Sequence, residues 1–114
     1  MEEEGVKIIN IEEFQKIELR VGAILSAERI LGSDKLLKLA VDFAEAAPRQ
    51  IISGIGKVYE PETIVGKKVV FVVNLEPREL VGLTSQGMIL AAKDENGLAL
   101  IVPDKDVAPG SRVG

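Results

Sequence analysis

The sequence predicts an all-β domain, a small barrel of five or more strands with one short helix between the third and the fourth. Three observations predict it. Apolar and polar residues alternate with a period of two in several short runs, which is the pattern of strands with one buried face. Gly, Pro and Asn interrupt those runs at short intervals, as turns between strands require. Hydrophobic residues make up 46% of the 114 residues and aromatic ones only 4%, so Val, Ile, Leu and Ala must fill the core.

The elements follow in order. Residues 1–10 form an acidic N-terminal tail and residues 11–114 the domain. Ile11 to Phe14 fit one helical turn, with Asn10 as N-cap and Glu13 completing a capping box. From Ile17 to Leu25 the residues Ile17, Leu19, Val21, Ala23 and Leu25 share a face, and Gly22 suggests a bulge or a sharp barrel bend. Leu37, Leu39, Val41 and Phe43 repeat the alternation, and Arg49 to Ile55 form a third strand. Tyr59 to Val65, with Pro61 near its start, fits a short helix stopped by Gly66. Lys68 to Leu75 is dense in β-branched residues and gives the strongest strand signal. Gly87 to Ala92 and Leu98 to Val102 form a hairpin around Asp94-Glu95-Asn96-Gly97, whose Asn-Gly pair suits a tight turn. Pro103 onward is a polar tail. This order is the one expected of an OB-fold, a five-stranded Greek-key barrel.

Composition excludes several classes of chemistry. The sequence has no cysteine and no histidine, so disulfides, thiolate or histidine metal sites and His-based triads are impossible. No cofactor is implied. Met1-Glu2-Glu3-Glu4 is the opposite of a cationic signal-peptide start, and no apolar run approaches the ~20 residues of a membrane span. A soluble, cytoplasmic protein is expected. The net charge of −4 argues against a polyanionic partner, since a basic surface is the usual footprint of such binding. Without Glu2, Glu3 and Glu4 it is only −1, and segregation of the remaining charges would create a cationic face.

Gly54-Ile55-Gly56-Lys57 has neither the glycine spacing nor the Ser or Thr of a phosphate loop; the simpler reading is two glycines that let a strand end bend. The carboxylate pairs Glu60 with Glu62 and Asp104 with Asp106 lie in polar segments and fit solvated surface. Phe43 and Phe71 fall on inward positions, and Phe14 is expected to pack its helical turn against the barrel. Tyr59 alone is left to stack on a base, so recognition of a folded backbone is favoured over single-strand binding.

Glu13-Phe14-Gln15-Lys16-Ile17-Glu18-Leu19-Arg20-Val21-Gly22 resembles the opening of the tRNA-binding domain family. That family includes the C-terminal domain or β subunit of methionyl-tRNA synthetase, stand-alone tRNA-binding proteins and a eukaryotic cytokine-precursor relative. The likeness continues through Ser33 to Leu37, Arg49 to Ile55, Tyr59 to Glu62, Gly66 to Val69, Asn74 to Arg78 and Ser85-Gln86-Gly87-Met88-Ile89-Leu90-Ala91. It therefore runs in order over nearly the whole chain.

The resemblance implies an OB-fold with N- and C-terminal extensions that form a homodimer. It also implies binding of tRNA by shape, in support of the catalytic part of methionyl-tRNA synthetase, with no catalytic residue in this chain. Carried over by motif, the candidate tRNA contacts are Lys35, Asn74, Arg78, Ser85 and Met88. Lys57, Arg20 and Arg49 join them on charge and position. Lys35 and Arg78 would meet phosphates, or be ordinary surface charge. Asn74 and Ser85 would donate to the RNA, or cap turns. Met88 would pack on a base or ribose, or fill the core. The competing function is a chaperone-like branch that holds unfolded polypeptides in a dimeric groove; Ser85-Gln86-Gly87-Met88 favours tRNA.

Overall fold

The computed structural model describes residues 6–114; Glu2, Glu3 and Glu4 of the expected acidic tail lie outside the described residues. Two helical turns and ten strands follow one another: α1 (Ile11–Gln15), β1 (Leu19–Arg29), β2 (Leu37–Asp42), β3 (Arg49–Ser53), α2 (Pro61–Ile64), β4 (Lys68–Val72), β5 (Arg78–Leu80), β6 (Leu83–Ser85), β7 (Met88–Ile89), β8 (Ala91–Asp94), β9 (Gly97–Leu100) and β10 (Arg112–Val113). The main sheet runs β3-β2-β1-β4-β7, all neighbours antiparallel. It curls into a nearly closed five-stranded barrel with α2 between its third and fourth strands, the expected OB-like architecture.

β1 is the strand on which the barrel turns. Its first half pairs β4, from Leu19 opposite Val72 to Ala23 opposite Lys68. Its second half pairs β2, from Ala23 opposite Asp42 to Arg29 opposite Leu37, with a register shift between Ile24 and Ser26. The shift changes the phase of the alternation: Val21 and Ile24 are buried while Leu25 is exposed, so the single face expected through Leu25 breaks here. Gly22 itself is a point of close approach. A Cβ there would stand 2.5 Å from Val41 Cγ1 and 2.6 Å from Phe43 Cε1.

The core gathers Ile24, Leu37, Leu39, Val41, Phe43, Ile51, Ile55, Ile64, Val69 and Phe71. Burying each such side chain contributes about 1.5–3 kcal/mol. Phe43 and Phe71 meet edge to face, centroids 5.3 Å apart and planes at 85°, a favoured aromatic geometry. Both occupy the inward positions expected of them.

Asn10 closes the capping box of α1: its Oδ1 accepts from Glu13 N–H at 2.8 Å, and Glu13 Oε1 accepts from Asn10 N–H at 3.3 Å. No residue of α1 is buried, and Phe14 remains 42% exposed instead of packing on the barrel. Asn74 ties the end of this turn down, its amide donating to Lys16 O at 2.6 Å and accepting from Glu18 N–H at 2.8 Å.

Two further features correct the sequence reading. First, the chain after Pro103 ends in β10, where Arg112 and Val113 pair with Arg20 and Leu19. This stretch of β1 lies beyond the reach of β2, and its backbone groups need partners; Val21 N–H donates to Ser111 O, and Gly110 N–H to Val21 O. Second, β5 and β6 form an unanticipated hairpin turning at Val81 and Gly82. The β8–β9 hairpin turns within the expected Asp94-Glu95-Asn96-Gly97 stretch, with Asp94 opposite Gly97, and Gly97 takes the positive φ.

Candidate nucleic-acid interface

A groove of about 400 Å³ opens on the barrel wall, where the end of β3 meets the β5–β6 hairpin and β7. Lys35, Arg78 and Met88 line it together, over apolar side chains that include Ile52, Leu80 and Ile89.

Lys35 sits in the turn between β1 and β2. Ser33 Oγ accepts from the N–H groups of both Lys35 (3.3 Å) and Leu36 (3.1 Å), the local hydroxyl-to-backbone pattern that fixes such turns. Gly56 N–H donates to Lys35 O at 2.7 Å, and the Lys35 stem lies across Gly54, where a Cβ would stand 3.1 Å from Cε. The two glycines of the Gly-Ile-Gly-Lys run thus give backbone and stem room to approach. Arg29 reinforces the same loop, donating to Gly56 O at 2.9 Å and pairing with Glu60 at 3.1 Å.

Arg78 opens β5 directly across from Ser85 on β6, and Met88 opens β7 opposite Val72, 44% exposed. Among the described residues, neither Lys35 nor Arg78 has a carboxylate within ion-pair distance. By contrast, Arg20, Arg29, Lys38, Arg49 and Lys68 all do. Two uncompensated cations therefore flank one groove in a chain whose net charge is negative.

The other candidates lie elsewhere or are engaged. Ser85 is buried; its Oγ accepts from Ile52 N–H at 2.9 Å and donates to Gly87 O at 3.0 Å. Asn74 is held by Lys16 and Glu18 as described. Arg20 pairs with Glu18 and donates to Gly110 O at 2.8 Å, locking β1 to the C-terminal segment. Arg49 pairs with Glu45 at 2.8 Å, donates to Val73 O and Gln86 O, and lies 5.5 Å over the Phe43 ring. Its guanidinium, hydrogen-bonded to the Glu45 carboxylate, holds that carboxyl below the usual range. Lys57 is exposed on the loop beyond Gly56, outside the groove lining.

Tyr59 does not stand free for stacking. It is half-buried against the core, and its hydroxyl accepts from Leu100 N–H at 3.2 Å. The carboxylates read as solvated surface are partly paired, Glu60 with Arg29 and Asp106 with Lys68. Sequence reasoning missed Gln50 and Gln86, which bond to each other's strands; the only available signal was their place inside the matching motifs. Among the described residues no helix is long and apolar enough to cross a membrane.

Residues 19–112 match the family model described as "Putative tRNA binding domain". The chain belongs to the tRNA-binding domain family. This tRNA-binding domain is 50% identical over 111 residues to a methionine–tRNA ligase of Caldanaerobacter subterraneus subsp. tengcongensis, an alignment covering 97% of the domain and 17% of the ligase. It spans about a sixth of the length of the curated relatives it matches. Among solved structures it is similar to a MetRS related protein from Pyrococcus horikoshii, with a TM-score of 0.88 and 40% identity, covering 96% of the domain and 100% of that chain. It is also similar to the chaperone CsaA of Bacillus anthracis, with a TM-score of 0.85 and 28% identity, covering 95% of the domain and 100% of that chain.

Proposed function

We propose that the domain grips tRNA in the groove between Lys35 and Arg78, meeting phosphates with both cations and a base or ribose with Met88. The observation that supports this is that Lys35 and Arg78, neither paired with a carboxylate among the described residues, line one groove together with Met88 over an apolar floor. An arginine offers bidentate contacts to phosphate and a lysine a point charge. The apolar floor below them suits the faces of sugars and bases. Recognition in this mode follows backbone and shape, with no anticodon code.

The role that follows is accessory. Holding tRNA near a catalytic partner raises its local concentration there, and the partner suggested by the relatives is a cytoplasmic methionine–tRNA ligase. Aminoacylation belongs to that ligase, with this domain as a fused part, a bound subunit or an independent helper. Self-association into a homodimer fits the exposed apolar side chains of Ile8, Ile11, Phe14 and Ile17, since apolar patches on a free monomer mark interaction sites.

A gel-shift titration with unfractionated tRNA at low and moderate salt tests the reading. The parent domain binds and weakens as salt rises, and a folded Lys35→Ala, Arg78→Ala variant loses most of the affinity. A parent domain that ignores tRNA in dilute buffer overturns it. The likeness to CsaA supports a second reading, capture of unfolded polypeptide in a groove of a dimer; affinity for an unfolded protein with none for tRNA would favour it.

A further inference from the structure

The arm that carries Arg78 is joined to the barrel wall in an unusual way. Among the described residues β5 pairs only with β6, and β6 meets β3 through side chains more than through a backbone ladder. Gln86 N–H donates to Gln50 O at 2.8 Å. The return bond is made by a side chain: Gln86 Oε1 accepts from Gln50 N–H at 2.9 Å. Gln50 then reaches along the hairpin, its Nε2 donating to Thr84 O at 2.9 Å. Two residues further on, Ile52 N–H donates to Ser85 Oγ. These bonds take up edge donors of β3 that an ordinary neighbouring strand would satisfy, and they set the height and tilt of the hairpin above the wall.

Because Arg78 is the direct cross-strand neighbour of Ser85, whatever fixes β6 fixes Arg78. Lys35, which lines the same groove, is fixed independently by Gly56 and Ser33. The distance between the two cations therefore depends on the stitch between β3 and β6.

We infer that Gln50 and Gln86 are positioning residues for tRNA: the bonds of their side chains, Gln86 to the Gln50 backbone and Gln50 to the Thr84 backbone, hold the β5–β6 arm so that Arg78 lines the groove together with Lys35. The inference rests on the tRNA reading of that groove. Neither glutamine needs to touch RNA, and both act through Arg78. Their uncharged amides do this without placing a carboxylate beside a polyanion. Length matters too, since the Gln86 side chain must reach back to the Gln50 backbone.

The test is a double-mutant cycle. Gln50→Met, Gln86→Met keeps side-chain length and removes the side-chain hydrogen bonds; it is measured alone and in an Arg78→Ala background, by tRNA titration across several salt concentrations. The stitch variant should bind tRNA about tenfold more weakly. Its slope of log affinity against log salt should fall by roughly the value of one phosphate contact, ~0.7–0.9. In the Arg78→Ala background the same change should cost no further affinity, a coupling that general destabilisation would not produce. An unchanged affinity in the stitch variant, or a loss that simply adds to that of Arg78→Ala, overturns the inference while leaving tRNA binding intact. If the parent domain fails to bind tRNA, the functional reading has failed instead. Should the double replacement not fold, Gln50→Met alone, which deletes only the bond to Thr84, is put through the same cycle with the same two overturning results.

Discussion

The amide of Gly56 donates to the carbonyl of Lys35 at 2.7 Å, and a Cβ at position 56 would stand 2.8 Å from that same oxygen. The loop that follows β3 is thus pressed directly onto the turn that presents Lys35. Gly56→Ala must push that turn away, because the obstructing atom is backbone and cannot rotate aside. Such overpacking costs about 1–3 kcal/mol. A urea titration should show this loss, and the folded variant should bind tRNA more weakly because Lys35 has moved.

Ser85→Ala should destabilise the fold through an orphaned donor. Ile52 N–H is buried and has the Ser85 hydroxyl as its partner; leaving a buried donor unsatisfied costs about 1–3 kcal/mol. Chemical denaturation measures the loss. A loss of tRNA affinity with no change in stability would point to direct contact between the hydroxyl and RNA.

Val81 adopts a φ of 45° while 61% exposed. Left-handed backbone is costly for a β-branched residue, and little packing offsets it at this exposure. Val81→Asn supplies a residue that tolerates this conformation, beside Gly82 with its φ of 80°, and matches the preference of two-residue hairpins. The variant should gain about 1 kcal/mol of stability, read as a higher urea midpoint with an unchanged slope.

Acid should remove a small contribution from Glu45. Hydrogen bonding to Arg49 lowers the folded-state pKa of this carboxyl below its unfolded value, so the native state binds the proton less readily. The contribution is complete above the ordinary glutamate value of about 4.3 and disappears as pH falls through the lowered folded value. With Glu45 43% exposed, it stays below about 1 kcal/mol. Glu45→Gln should be slightly less stable than the parent at neutral pH and converge with it in acid, as denaturation at a series of pH values would reveal.

Salt should separate the groove cations from the paired ones. Each phosphate neutralised contributes ~0.7–0.9 to the slope of log affinity against log salt. Lys35→Ala, Arg78→Ala should therefore flatten that slope by roughly one and a half. Arg20→Ala, which breaks a pair with Glu18, should leave the slope unchanged in a folded protein.

The sequence carried the fold where burial has a period. β2 and β4 alternate or run apolar without interruption, and their positions were legible, as was the capping box of α1. Elements held by tertiary pairing left no such trace. β5 and β6 have three residues each and turn on Val-Gly, a dipeptide without the usual hairpin signature. β10 has two residues and exists because β1 needs an edge partner. The site was legible only as a set of residue types. Lys35 and Arg49 look equally cationic in a sequence, yet among the described residues one has no carboxylate partner and the other is bound to Glu45, Val73 and Gln86. Charge type is local; charge compensation depends on which strands meet.

Tyr59 is the sole tyrosine of a protein without tryptophan, and its hydroxyl touches the backbone of β9 at Leu100. Tyrosine emission from the molecule thus originates at one ring, placed where the outer β8–β9 hairpin rests on the barrel. Detachment of that hairpin would alter the phenol's surroundings before the core opened, giving an optical signal of local undocking with no added dye.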